Sequence, residues 1–392
     1  ILIKVYSIMI FKILFRNAFR HKLRTFLTVC GMAVAILSFG LLRTVIDAWY
    51  IGVEASSETR LVTRNSISLV FRLPLSYRDT IRRVKGVEIV SYGNWFGGYY
   101  IDEKDFFANF AVEPKSYLEL YPEYVIPDDQ RIKFVSDRKG CLVGKKLADR
   151  FGWDVGDTVT LTGTIFPGKW DFILRGIYEG RDKNIDETLF FFHWDYLNES
   201  IKKQQSTSTD HVGFYIIGIE NPYIAAETSE AIDNAFKNSL AETLTETEKA
   251  FQLGFVAMSE AIIKAIQLIS LVVIFIILIV VANTMGMSVR ERIGEYAVLK
   301  TLGFRARQIT FLIMGESMVI TVIGGVTGII MTFPAARGFS MAVGKYFPVF
   351  NITWETMYLD LAVTITVGLL AGIFPAYRAV TVRIAEGLRR IG

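Results

Sequence analysis

Few residues in this sequence are of types and spacings that could do covalent chemistry. The stretch Gly140-Cys-Leu-Val-Gly-Lys-Lys146 sets glycines ahead of lysines, as a loop that cradles a phosphate with backbone N–H groups would. It has three residues between the glycines where such a loop needs four, and Lys146 stands where Ser or Thr would hold magnesium. Asp154 and Asp157, in Trp-Asp-Val-Gly-Asp, could form an acid/base pair, but the glycine between them marks a turn that they shape. His21, His193 and His211 are scattered, with no second His or Cys at ligand spacing, so no metal site is expected. Cys30 lies in an apolar run and Cys141 in the polar middle of the chain, which predicts no disulfide. No Ser-His-Asp or Cys-His arrangement emerges, and the chain is expected to be neither an enzyme nor the holder of a cofactor.

The elements that must position these residues are set by composition. The chain has 392 residues, 52% hydrophobic and 21% charged, with a mean hydropathy of +0.36. That is too apolar for an ordinary soluble protein and too charged for one wholly embedded in lipid. The predicted fold class is an α-helical membrane protein with four transmembrane helices and a large α+β domain inserted between the first and the second. Net charge is +4, from 43 Lys and Arg against 39 Asp and Glu, so no global basic surface argues for a nucleic-acid partner.

A helix needs about 20 apolar residues to cross the hydrocarbon core. Four segments qualify: 25–46, 262–286, 309–333 and 356–378. They divide the rest into a basic segment 1–24, a domain 47–258 long enough for two subdomains, a loop 287–308, a short loop 334–355 and a tail 379–392. The basic approach to the first run resembles the positive region of a signal peptide. The run is too long for one, and Asp47-Ala-Trp-Tyr50 is a poor cleavage site, so it reads as a retained anchor. Lys4, Lys12, Arg16, Arg20, Lys22 and Arg24 before the first span, five basic residues in 287–308 and four after Pro375 place both termini and that loop on the cytoplasmic side. Residues 47–258 then lie outside.

Gly31 and Ala35, Gly324 and Gly328, and Gly368 and Gly372 are each four apart, the spacing that lets helix backbones approach closely in lipid. Intramolecular packing is the favoured reading, a dimer interface the other. Among carboxylates in the spans the reading singles out Glu316, within reach of Arg305 or Arg307, over a proton relay.

In the outer domain, Ser76 predicts a capped helix, and the segments VEIVSYG, FFANFAVEP, KWDFILRGIY and HVGFYIIGI read as strands. The stretch 92–100, Tyr-Gly-Asn-Trp-Phe-Gly-Gly-Tyr-Tyr, suits a strand-turn-strand with a packed Trp95, or a contact for an apolar ligand. Residues 240–261 contain no proline and predict one continuous helix running into the second span, able to transmit movement.

The loop between the second and third spans is long and helix-forming. On a helical wheel Val289, Ile293, Tyr296 and Ala297 fall on one side, and Val298, Leu299 and Leu302 on the other. Apolar residues on both sides predict a helix wedged between the bundle and a partner, with Arg290, Glu291, Arg292, Glu295 and Lys300 at its rim and Gly303 as its C-terminal stop. A solvated connector is the alternative.

The segment NTMGMSVRERIGEYAVLKTLGFRARQITFLIMGES resembles the corresponding block of ABC transporter permeases of the MacB, FtsX and LolC-LolE group, as do the basic approach FRNAFRHKLRTFLTVCGMAVAI and the exit GIFPAYRAVTVRIAEGLRR. Tyr296, Ala297 and Lys300 depart from that pattern. The resemblance implies a coupling helix in which Arg290, Glu291, Arg292, Ile293, Glu295, Tyr296, Leu299, Lys300 and Gly303 meet a cytoplasmic ABC ATPase. No Walker motif occurs in the sequence, so ATP and magnesium are expected on that separate subunit. The group further implies an inner-membrane location, a second permease copy or a related permease, a MacA-like periplasmic adaptor with an outer-membrane channel, and mechanical coupling to efflux or extraction of a hydrophobic cargo. The alternative is FtsX-like signalling to cell-wall hydrolases without cargo.

Overall fold

The computed structural model describes residues 14–203, 209–343, 347 and 349–382, without the side chains of 105 and 341–343. In chain order, helix α1 (Lys22–Ala55) leads into β1 (Arg60–Asn65), β2 (Leu73–Pro74), α2 (Tyr77–Ile81), β3 (Val87–Trp95), β4 (Gly98–Tyr100), β5 (Asn109–Val112) and α3 (Pro114–Leu120). There follow β6 (Tyr124–Val125), α4 (Asp128–Ser136), β7 (Gly140–Gly144), α5 (Lys145–Phe151), β8 (Thr158–Gly163), β9 (Gly168–Gly180), β10 (Phe190–His193) and α6 (Trp194–Lys203). The inserted part ends with β11 (His211–Val212), β12 (Phe214–Ile219), α7 (Ala225–Ala235), β13 (Thr243–Thr247) and α8 (Glu248–Met258). Four helices close the described chain: α9 (Glu260–Glu291), α10 (Ile293–Thr301), α11 (Ala306–Val343) and α12 (Trp354–Thr381).

The chain forms two compact units, one of which holds the inserted domain, residues 49–259, together with 343–349. A mixed sheet runs through it in the order β13-β1-β12-β3-β5-β10-β7-β9-β8-β4. The β5–β10 and β7–β9 pairs are parallel and their neighbours antiparallel. Strand β10 shows why the sheet lies between two helical layers. Side chains alternate along a strand, and Phe190 and Phe192 enter one buried cluster with Leu147, Leu197 and Ile232 while Phe191 enters another with Tyr117 and Phe134. A strand buried on both faces needs an unbroken apolar run, which Phe-Phe-Phe supplies.

Three sequence expectations for this domain are corrected. Residues 243–247 are not helical: β13 pairs with β1, Thr63 and Thr245 share a hydroxyl hydrogen bond of 2.9 Å, and Asp233 accepts from Thr243 and Thr245. The alternating Thr243, Thr245 and Thr247 are β-branched at period two, which favours a strand over helix propensity. Helix α8 starts only at Glu248, capped by the Thr247 hydroxyl, and a residue outside helical geometry, Ser259, ends it. Ser76 makes no side-chain cap. Within 92–100, Phe96 is the packed ring, and Trp95 on the opposite face stays part-exposed; β3 and β4 do not pair with each other.

The phosphate-loop lookalike is explained by packing. Gly144 is required because a Cβ there would collide with the Glu187 backbone, and the Glu187 and Leu189 carbonyls already accept from Leu147 and Gly144 N–H. Asp157 accepts from the Asp154 N–H at 2.9 Å, so this pair shapes the turn. His193 and His211 each bond a backbone carbonyl, of Phe134 and Thr209.

In the other unit, α1, α9, α11 and α12 are each long and apolar enough to cross a membrane. Gly324 and Gly328 seat α11 against α1, where a Cβ would lie 2.6 Å from Met32 Cβ or from the Ala33 carbonyl oxygen. Gly368 and Gly372 seat α12 against Thr321 and Met314 of α11, and Ser317 donates to the Gly368 carbonyl at 2.8 Å. Gly31 has looser surroundings, in ordinary contact range of Ile277, and Ala35 is buried. Thr353 caps α12, and with Thr356 it donates to Asp47 on α1.

Candidate functional site

The junction between α9 and α11 gathers most of the residues singled out from the sequence. Helix α9 runs on past the predicted end of its span to Glu291, where Arg292 leaves helical geometry (φ −109°, ψ 14°) and α10 begins. Helix α10 ends in a Schellman arrangement: Gly303 has φ +88°, Phe304 N–H donates to the Leu299 carbonyl and Gly303 N–H to that of Lys300. Glycine is needed there because an L side chain rarely adopts that φ.

The charges of this segment are largely consumed inside the chain. Arg292 is buried, donating from Nη1 to Glu316 Oε2 at 2.8 Å and from Nε to Glu295 Oε2 at 2.8 Å. Ser288 Oγ donates to the other Glu316 oxygen at 3.0 Å. Glu316 therefore pairs with Arg292, and the expected reach to Arg305 or Arg307 is corrected. Glu295 also accepts from Arg20, and Arg24 grips Glu291 through both terminal nitrogens at 2.8 and 2.9 Å, with His21 Nε2 3.2 Å away. Lys300 Nζ donates to the Val380 and Val382 carbonyls, both at 2.7 Å, at the C-terminal end of α12 where carbonyls lack helical partners. Arg290 is exposed, and no described residue pairs with it.

Apolar side chains divide between two faces. Val289, Tyr296 and Ala297 are buried, with Val289 and Tyr296 in a cluster that includes Ile309 and Ile313, and burial pushes the Tyr296 phenol pKa up. Ile293 and Leu299 are half-buried. Val298, Leu302 and Phe304 are 40%, 71% and 41% exposed, flanked by exposed Arg305 and Arg307. A short helix is thus anchored on one face by an ion-pair lattice and presents apolar side chains with cations on the other.

One residue escaped the sequence reading. Asp360 lies inside the predicted span 356–378, yet only Glu316 was singled out. It is buried against Gly40, where a Cβ would lie 2.8 Å from Oδ2, and Oδ1 has no hydrogen-bond partner among the described residues. A lone acid in an apolar run was a legible signal.

Four helices of this fold are long and apolar enough to cross a membrane, and residues 268–384, which include the junction, match the family described as FtsX-like permease C-terminal. The chain is 25% identical, over 96% of both proteins, to an uncharacterized ABC transporter permease of Methanocaldococcus jannaschii. It is 32% identical to the macrolide export ATP-binding/permease protein MacB 1/2 of Paracoccus denitrificans over 39% of this chain and 21% of that one. Among solved structures, the extracellular domain of the noncanonic ABC-type transporter YknZ from Gram-positive bacteria aligns with 48% of the chain at 12% identity and a TM-score of 0.36. The periplasmic region of MacB from Actinobacillus actinomycetemcomitans aligns with 52% at 9% identity and a TM-score of 0.37.

Proposed function

We propose that this chain is the permease subunit of an ABC transporter whose ATPase is a separate cytoplasmic polypeptide, and that α10 is the helix on which that ATPase docks. The observation that carries the reading is the two-faced α10 within the matched FtsX-like segment: one face fixed to the bundle, the other offering Val298, Leu302 and Phe304 among cations. Exposed apolar side chains rimmed by charge are the composition of a protein interface. Nucleotide and magnesium belong to the partner in this reading, and the work done here is mechanical, acting through the inserted domain on a hydrophobic cargo. A second permease copy has a surface to use, since α9 is the least covered span, with 17% of its most apolar window buried. A MacA-like adaptor and outer channel are compatible partners.

Purification of the full chain with its co-encoded proteins tests this. An ABC ATPase is expected in the preparation and is expected to be lost with Val298→Asp/Leu302→Asp; a preparation of wild-type chain without an ATPase overturns the reading. The signalling alternative predicts a cell-wall hydrolase in the same preparation and no bound cargo.

A further inference from the structure

The inserted domain contains a cavity of about 890 Å³, within the roughly 300–1,000 Å³ of sites that bury a small molecule. Its walls are apolar, built by Val62 and Ile216 of β1 and β12, Phe110 and Phe214 of β5 and β12, and Phe251 and Phe255 of α8. Several large apolar side chains that line it are also open to solvent, Val70 at 83% and Ile165 at 48% among them, and Trp95 stands beside them with its ring edge on Phe110. An apolar lining continuous with exposed apolar side chains is suited to receiving an alkyl chain rather than a polar metabolite.

The polar groups in the lining are not equivalent. Arg60 is buried between Glu248 and Glu123 at 2.8 and 2.6 Å and donates to the Leu120 carbonyl, and Tyr121 donates to the second Glu248 oxygen. That network is saturated. Asp186, the remaining acid, accepts from the Thr188 N–H and hydroxyl at 2.8 and 2.7 Å. Arg72 is different: half-buried, its guanidinium lies 4.8 Å over the Phe166 ring, and no carboxylate among the described residues pairs with it. Removing a guanidinium from water without an anion is unfavourable, and burial works against its charge. A cationic head would meet like charge there, and a neutral one would leave the guanidinium uncompensated.

We propose that this cavity binds an anionic amphiphile with one alkyl chain, the chain lying among Phe110, Phe214, Phe251 and Phe255 and the anionic head at Arg72. This deepens the permease reading, on which it rests for calling the ligand cargo; binding itself is measurable without an ATPase. The full chain in lipid nanodiscs is irradiated with a palmitate analogue carrying a diazirine on its chain, and the cross-linked peptides are mapped by mass spectrometry. Adducts are expected on peptides containing Phe251 and Phe255, displaced by palmitate and not by hexadecanol or cetyltrimethylammonium. Arg72→Gln should lower this labelling about tenfold, the loss of one charge-assisted hydrogen bond, while Arg72→Lys retains most of it, with a melting curve to show both variants are folded. Adducts confined to α9, α11 and α12, or equal displacement by hexadecanol, overturn the proposal, and the wild-type competition decides even where a variant does not fold. Labelling lost while the ATPase still co-purifies refutes the cavity alone; an absent ATPase with labelling intact refutes the permease reading alone.

Discussion

Arg292, the residue that interrupts the helix between α9 and α10, donates to Glu316 on α11 across 2.8 Å in a buried ion pair. Such a pair is costly to break from one side, because the surviving charge is left uncompensated. Glu316→Ala should therefore destabilise the protein by about 3–5 kcal/mol, read as a lowered melting temperature in detergent. Replacing both partners, Arg292→Met with Glu316→Leu, should cost much less. Equal losses in the single and double variants would show that the pair does not behave as a buried charge pair.

Reversing Glu291 and Glu295 to arginine removes the internal partners of Arg24 and Arg20 as well as charge at the outer rim of α10. Loss of the ATPase is expected in that variant, with recovery when Arg20→Glu and Arg24→Glu are added. The Val298→Asp/Leu302→Asp variant should lose the ATPase with unchanged melting temperature and show no such recovery. Recovery in neither or both would remove the distinction drawn between the anchored and the exposed face.

Gly328 permits α11 to approach the Ala33 carbonyl and Ile36. Gly328→Leu should destabilise the bundle by about 1–3 kcal/mol through overpacking. Gly338→Ala in the same helix meets nothing within 4 Å and serves as the neutral control. The comparison of their melting temperatures is direct, and a neutral Gly328→Leu would contradict the close contact.

Burial lowers the His193 pKa, opposed in part by its bond to the Phe134 carbonyl. The stability linked to this ring is fully present above the ordinary value of 6.5 and falls as pH drops below it, because the unfolded chain takes up a proton that the buried ring does not. The loss stops growing once pH is below the lowered folded value. Wild-type protein should melt lower at pH 5.5 than at pH 7.5, and His193→Gln, whose amide can still donate to Phe134, should flatten that difference. An unchanged pH slope would assign it to other groups.

The fold class was legible because its signals are local: about 20 apolar residues make a span, and apolar runs such as HVGFYIIGI make strands, whereas Phe190-Phe-Phe192, as local a signal, went unread. The Thr243-x-Thr-x-Thr pattern was equally local but lost to the absence of helix breakers around it. The wheel of α10 separated Val289, Tyr296 and Ala297 from Val298 and Leu302, and the structure buries the first three and exposes the last two. What sequence spacing could not carry was the destination of the charges. Glu291, Glu295 and Lys300 read as the polar rim of a contact with a partner, whereas Arg24, Arg20 and the α12 carbonyls, from distant parts of the same chain, take them up.

The separation between Arg20 and Glu295 is 275 residues. At about 5–20 residues per second, synthesis puts on the order of tens of seconds between the two ends of that contact, and Lys300 must then wait for Val380 and Val382. No fragment shorter than nearly the whole described chain can complete the lattice that anchors α10. The exposed face of α10 therefore reaches its final setting only once the last of these contacts has formed: an incompletely made chain carries the exposed side chains without the scaffold that aims them.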